Sequence, residues 1–271
     1  MPKFKLKKFF RAIFKKEFKL NVNNQINNKN NNYIISENKI SNKKYKIKII
    51  TSYDECFSKV GNKTIETFKK YAEIQDYSFQ NVAMPNTGRP PAWNKIRILI
   101  DEMIKKEFEF LMWIDADAFF NNYNIDIANE IEQEKEIYMV KHYCEVYKGS
   151  IYQNTKLTIL RINTGVLLMK NSEHNLKFLQ KVWDKKEYIN HQWWEQAAIM
   201  DLMNFKSELN GNLNDNKGNS YLEKVKFLSN NWNSIPSNLD LSMEKQDPII
   251  IHLAGMKFDE RIKYIKTKLK L

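Results

Sequence analysis

Cysteine is scarce: Cys56 and Cys144 are the two in 271 residues. That excludes a disulfide scaffold and leaves too few thiols for a cysteine-based zinc site. Both read as free thiols of a reducing compartment. No run of about 18 or more apolar residues occurs, which excludes an ordinary transmembrane helix. The basic N-terminus lacks the continuous apolar stretch and small-residue cleavage site of a signal peptide, because Lys and Arg interrupt it throughout. There is no internal repeat, and no helix-turn-helix, zinc-finger or RNA-binding signature. What is present is a globular composition, 42% apolar and 28% charged, long enough for one or two domains and a single large core.

Charge of one sign is abundant. The formal net charge is +12, which taken alone points to nucleic acid, an anionic membrane or a phosphorylated substrate. Its placement narrows this. Residues 1–20 carry eight Lys/Arg and one Glu, and residues 256–271 carry six Lys/Arg and two acids, so all but one of the net charges lie in these two segments. A nearly neutral body argues against a broad nucleic-acid-binding face.

In residues 1–20, Leu6, Phe10, Ile13, Phe14 and Phe18 fall at helical spacing, with Lys7, Lys8, Arg11, Lys15 and Lys19 on the other side. This predicts a basic amphipathic helix lying on an anionic membrane surface, with an ordinary helix docked on the body as the alternative. Residues 21–43 read as an Asn-rich linker; eight of the twelve positions 21–32 are Asn, which cannot build a core. The expectation is a peripherally membrane-associated, cytoplasmic protein with a catalytic domain over 44–258 and a basic C-terminal tail over 259–271.

From residue 45 the chain alternates. Strands are predicted over 45–51, 77–84 and 108–114, with helices over 62–74 and 93–106 between them. This βαβαβ start predicts an α/β fold with a mainly parallel, mixed central sheet. Later strands are expected over 137–142, 157–169 and 248–253, helices over 173–185 and 194–205, and a polar loop over 209–220.

The chemistry gathers at strand ends. Asp115-Ala116-Asp117 follows the apolar strand FEFLMWI. Residues two apart in extended chain share a face, and ligands of open α/β sheets bind at the strands' carboxyl ends. Two adjacent carboxylates there call for a compensating cation, and hard oxygen ligands suit Mg²⁺ or Mn²⁺. A chance loop or helix cap is the plainer alternative. His252 also ends a strand, either as a further ligand or as a histidine satisfied by backbone groups. Asn163-Thr164-Gly165 interrupts an aliphatic strand, which marks a bulge, a close ligand approach or a simple turn. Trp193 and Trp194 read as core residues or as platforms for sugar rings; Glu195 and Gln196 open a helix and could cap it.

Taken in order, these segments resemble the GT-A fold of sugar-nucleotide glycosyltransferases, and within it glycosyltransferase family 34. That family includes fungal galactosyl- and mannosyltransferases and plant xyloglucan xylosyltransferases. The resemblance covers roughly residues 45–258 and rests on six segments: Trp93-Asn94-Lys95, the DxD pair, Asn163-Thr164-Gly165, Glu195-Gln196, Trp232-Asn233-Ser234-Ile235-Pro236, and the HxxGxK of His252, Gly255 and Lys257. It implies a GT-A-type, Rossmann-like nucleotide-diphospho-sugar transferase fold. It further implies Asp115, Asp117 and His252 as ligands of Mn²⁺ (or Mg²⁺). Thr51, Trp93, Lys95, Asn163, Thr164, Gly165 and Gly255 would bind the donor, and Glu195, Gln196 and Lys257 would serve catalysis. The implied reaction moves a hexose or pentose from a nucleoside-diphosphate sugar, UDP-sugar favoured, to a glycan or glycolipid with retention of configuration. Alternatives from other classes are another metal-dependent phosphate-ester enzyme (a phosphatase or nucleotidyltransferase), a nucleic-acid-binding protein, and a lectin-like module.

Overall fold

The structure is a computed structural model that describes residues 45–147, 156–205, 219–236 and 247–270. The helix expected over 1–20, the linker over 21–43 and most of the loop over 209–220 lie outside the described residues.

The opening βαβαβ unit forms as its periodicity predicts. Strand β1 (Ile47–Thr51) leads through helix α1 (Ser58–Gln75) to β2 (Ser78–Asn81), then through α2 (Asn94–Lys105) to β3 (Phe110–Ile114). β1 and β3 are buried at every position, as an apolar run covered on both faces requires. A short β4 (Ala118–Phe120) precedes two long strands, β5 (Ile137–Tyr147) and β6 (Lys156–Lys170). Helices α3 (Glu173–Asp184), α4 (Trp194–Leu202) and α5 (Ser220–Glu223), strands β7 (Val225–Phe227) and β8 (Ile250–His252), and helix α6 (Phe258–Leu269) complete the chain.

Six strands make one mixed sheet in the order β2-β1-β3-β6-β5-β7. β1 pairs in parallel with β2 and β3, and β5 with β7, while β6 runs antiparallel to both β3 and β5. The sheet is therefore mostly parallel, as expected. Successive β3 side chains face opposite sides. Phe110, Met112 and Ile114 pack with Phe68, Tyr71 and Phe120 on the α1 side. Leu111 and Trp113 pack with Ile96, Leu99, Phe178 and Leu179 on the α2–α3 side. Burying a side chain of this size contributes about 1.5–3 kcal/mol, so both faces hold the sheet between helices.

β4 pairs antiparallel with β8, with Ala118 opposite His252. The segment expected to be a basic tail instead folds as α6. Its buried Ile265 packs with Val60, Phe119, Ile251 and Leu253, because Ile262, Ile265 and Leu269 fall at helical spacing. Among the described residues no helix is long and apolar enough to cross a membrane.

Candidate active site

The chain from β1 turns to one side of the sheet to make β2, and the chain from β3 passes to the other side to reach β6. Such a divergence opens a crevice at the carboxyl ends of adjacent parallel strands. A cavity of about 430 Å³ opens there, lined by Ser52–Asp54 after β1, Asp115–Asp117 after β3, and residues of β6, α4 and α6.

Three ligand atoms converge in it. Asp115, Asp117 and His252 each offer one, all within 4.8 Å of one another. His252 Nε2 stands 3.3 Å from Asp117 Oδ1 and 3.8 Å from Asp115 Oδ2. The other oxygen of each carboxylate is engaged. Asp115 Oδ1 accepts from Trp113 Nε1 at 2.6 Å and faces Lys95 Nζ at 3.1 Å, while Asp117 Oδ2 pairs with Arg261 Nε at 3.2 Å. Each carboxylate is thus oriented by a fixed cation and turns its second oxygen to the cluster. Burial alone would raise the Asp117 carboxyl; the Arg261 guanidinium and the His252 ring, where it is protonated, outweigh it and hold the group below the ordinary carboxylate range.

Hydrogen bonds also fix which nitrogen of His252 faces the acids. The Gly165 backbone N–H donates to Asn163 Oδ1 at 2.8 Å, so that atom is an acceptor. Asn233 Nδ2 donates to the same oxygen at 2.9 Å, which turns Asn233 Oδ1 toward His252 Nδ1, also at 2.9 Å. An amide oxygen only accepts, so Nδ1 carries the proton. With a cation held in the cluster, Nε2 of the neutral ring would present its lone pair to that cation. This is the arrangement by which an outer shell orients a metal-binding imidazole. The donor set, two hard oxygens and one imidazole nitrogen, fits Mn²⁺ or Mg²⁺.

Asn163-Thr164-Gly165 occupies a bulge. Between Met139 and Val140 of β5, the β6 partner jumps from Leu167 to Asn163. Gly165 is needed there for a reason absent from the sequence reading: a Cβ at this position would lie 2.1 Å from His252 Cε1. The close approach is made by the histidine ring.

Lys95 is fully enclosed. Its Nζ donates to the Thr164 carbonyl at 3.0 Å and to Glu195 Oε1 at 3.0 Å, besides Asp115. Burial would lower its pKa, but the two carboxylates reverse that and push it above the ordinary lysine value. Glu195 moves up as well, through burial first, with Lys95 opposing and Asp115 reinforcing. Gln196 Oε1 accepts from the Thr164 N–H at 3.3 Å, which leaves its amide NH₂ as a donor.

Ten of the thirteen residues singled out from the sequence line this cavity: Lys95, Asp115, Asp117, Asn163, Thr164, Gly165, Glu195, Gln196, His252 and Gly255. Three do not. Thr51 is buried at the end of β1. Trp93 packs into the core on the α2–α3 side; two residues turn a helix by about 200°, so Trp93 and Lys95 cannot face the same way. Lys257 is exposed at the start of α6, its backbone N–H bonded to Glu260. The cation that α6 brings to the acids is Arg261, one turn further on. Arg261 carried no motif, and Asn233, part of the Trp232–Pro236 segment, had no role assigned, because their positions depend on distant chain segments folding back. Ser52, Tyr53 and Asp54 were signalled only by their place after β1. Arg161 carried no motif.

The family model for the galactosyl transferase GMA12/MNN10 family matches residues 43–263. Among solved structures, the chain is similar to a glycosyltransferase involved in the glycosylation of the major capsid of PBCV-1. There the TM-score is 0.58 at 17% identity, over 82% of this chain and 99% of that one. It also resembles the galactosyltransferase LgtC, seen in complex with donor and acceptor sugar analogs, with a TM-score of 0.48 at 10% identity, over 81% of this chain and 95% of that one. A comparison with curated protein sequences gives no match. The chain belongs to the galactosyl transferase GMA12/MNN10 family, glycosyltransferase family 34, and is a glycosyltransferase with the GT-A fold.

Proposed function

We propose that this glycosyltransferase depends on a divalent cation, Mn²⁺ or Mg²⁺, and moves a hexose or pentose from a nucleoside-diphosphate sugar, UDP-sugar favoured, to a glycan or glycolipid. The carrying observation is the convergence of Asp115, Asp117 and His252, with three ligand atoms within 4.8 Å, in a cavity of about 430 Å³. When bound there, the ion supplies Lewis-acid neutralisation of the leaving diphosphate. Transfer breaks the bond between the anomeric carbon and the diphosphate oxygen and forms one to the acceptor oxygen. The acceptor proton passes to the leaving phosphate.

The chain's own residues position the donor. Asn163, Thr164 and Gly165 form the wall along which the sugar lies. Gly255, whose φ of +77° places it in the left-handed region, lets the backbone pass close to the phosphates without a side chain. Lys95 holds Asp115 and Glu195 together. Glu195, or Gln196 through the second lone pair of its amide oxygen, faces the sugar and stabilises positive charge at its reactive carbon during front-face attack, which retains configuration. Arg261, paired with Asp117, adds a fixed positive charge beside the acids, and Lys257 at the start of α6 would reach the leaving diphosphate.

Residues 1–20 would address the enzyme to an anionic, cytoplasmic membrane face, close to a glycolipid or glycan acceptor. The test of the chemistry is Asp117→Ala. It should melt near the wild-type temperature and lose nearly all donor hydrolysis, measured as free sugar released. Wild-type turnover by this variant would reject the metal role.

A further inference from the structure

We propose that Arg161, Trp193 and Trp194 form a second subsite of the cavity, which binds an acidic sugar of the acceptor through its carboxylate or phosphate. The inference rests on the transferase reading above and names its acceptor class. Three cationic side chains line the cavity: Lys95, Arg161 and Arg261. Lys95 is committed to Asp115 and Glu195, and Arg261 to Asp117. Among the described residues Arg161 has no such partner. Its Nε is buried without a hydrogen-bond partner, and the guanidinium stands 5.7 Å from the centroid of the Trp193 ring. The side chain is half-buried, and its one buried donor atom is left unpaired at a cost; a planar guanidinium matches carboxylate and phosphate oxygens in particular.

Arg161 and Asn163 stand two apart on β6 and line the same cavity. Gly165, within the bulge, is the residue against His252, so along β6 Arg161 lies on the far side of Asn163 from that histidine.

Trp194 gives the second, independent observation. Its backbone has φ of +42°, in the left-handed region that a bulky residue rarely adopts. Its side chain is 44% exposed at the cavity wall, so burial of the indole does not offset the strain. Strain held at a site lining is characteristic of residues kept for binding. Trp193 and Trp194 together offer aromatic faces beside the free guanidinium, the combination that suits a sugar ring bearing an anionic group.

The test uses the full chain and three probes: glucuronic acid, glucose 6-phosphate and glucose. Tryptophan fluorescence reports their binding to wild type, Arg161→Met and Arg161→Lys, each checked by thermal melting. We expect at least one acidic sugar to bind tenfold or more tightly than glucose, and Arg161→Met to bring that ratio close to one. Arg161→Lys should keep part of the preference. The carboxylate and phosphate arms show which anion the site takes. Because the ratio is the readout, a general loss of fold, which weakens both ligands, is told apart from loss of the anion contact. Acidic sugars that bind no more tightly than glucose, or a preference unchanged in Arg161→Met, would overturn the inference. Donor hydrolysis by wild type, assayed separately, tests the transferase reading, so either can fail without the other.

Discussion

Asp115 and Asp117 each divide their oxygens between a side-chain cation and the centre of the cluster, and His252 is turned toward that centre by two asparagines. The glycines of the site make this testable. Gly165→Ala drives a methyl into the His252 ring and should destabilise the protein by about 1–3 kcal/mol while weakening Mn²⁺ binding in a calorimetric titration. Gly255→Ala meets nothing within 4 Å; its cost is the left-handed backbone alone, about 1–2 kcal/mol, with Mn²⁺ affinity kept. Asn233→Leu removes the acceptor of the Nδ1 proton and should weaken Mn²⁺ about 10–100-fold. Equal Mn²⁺ affinities across the three variants would contradict the relay. At this scale the sequence was legible where residue type and strand end coincide, as at Asp115, Asp117 and His252. Arg161 was not, since its meaning lies in the absence of a partner, which no spacing reveals.

Among the elements, β1 and α2 are joined by a buried ion pair, Lys48 Nζ to Glu102 Oε2 at 2.6 Å. Burial would raise the Glu102 carboxyl, but Lys105 and Lys48 outweigh it and hold it below its ordinary value. An acid depressed in the folded state adds stability above its unfolded pKa, about 4.3 for Glu, and loses it as pH falls through the folded value. Glu102→Gln should therefore cost about 3 kcal/mol near neutrality, where it strands Lys48, and the gap to wild type should close below about pH 4. Urea midpoints across that range check this, and a gap independent of pH would contradict it. The helices and the long strands were legible from periodicity. β4 was not, because three apolar residues straight after the DxD pair carry no period. Nor was α6, whose cationic surface masked the apolar stripe of Ile262, Ile265 and Leu269.

For the whole molecule, the +12 divides into parts with different meanings. One basic segment docks on the body as α6 and sends Arg261 to the active site. The other, residues 1–20, lies outside the described residues and is proposed as the membrane address. A chain lacking residues 1–32 should lose binding to anionic vesicles yet retain donor turnover; unchanged vesicle binding in a sedimentation assay would remove the address. The α/β class and the crevice at the strand ends were readable because alternating periods and acidic strand ends are local features. Closure of the cavity by β6, α4 and α6 joins residues far apart in sequence and needed the fold. The account stands most directly on one measurement, release of free sugar from a panel of nucleoside-diphosphate sugars with Mn²⁺ and with EDTA. It predicts slow hydrolysis of at least one donor with Mn²⁺ and none with EDTA; no hydrolysis of any donor, or the same rate in EDTA, would contradict it.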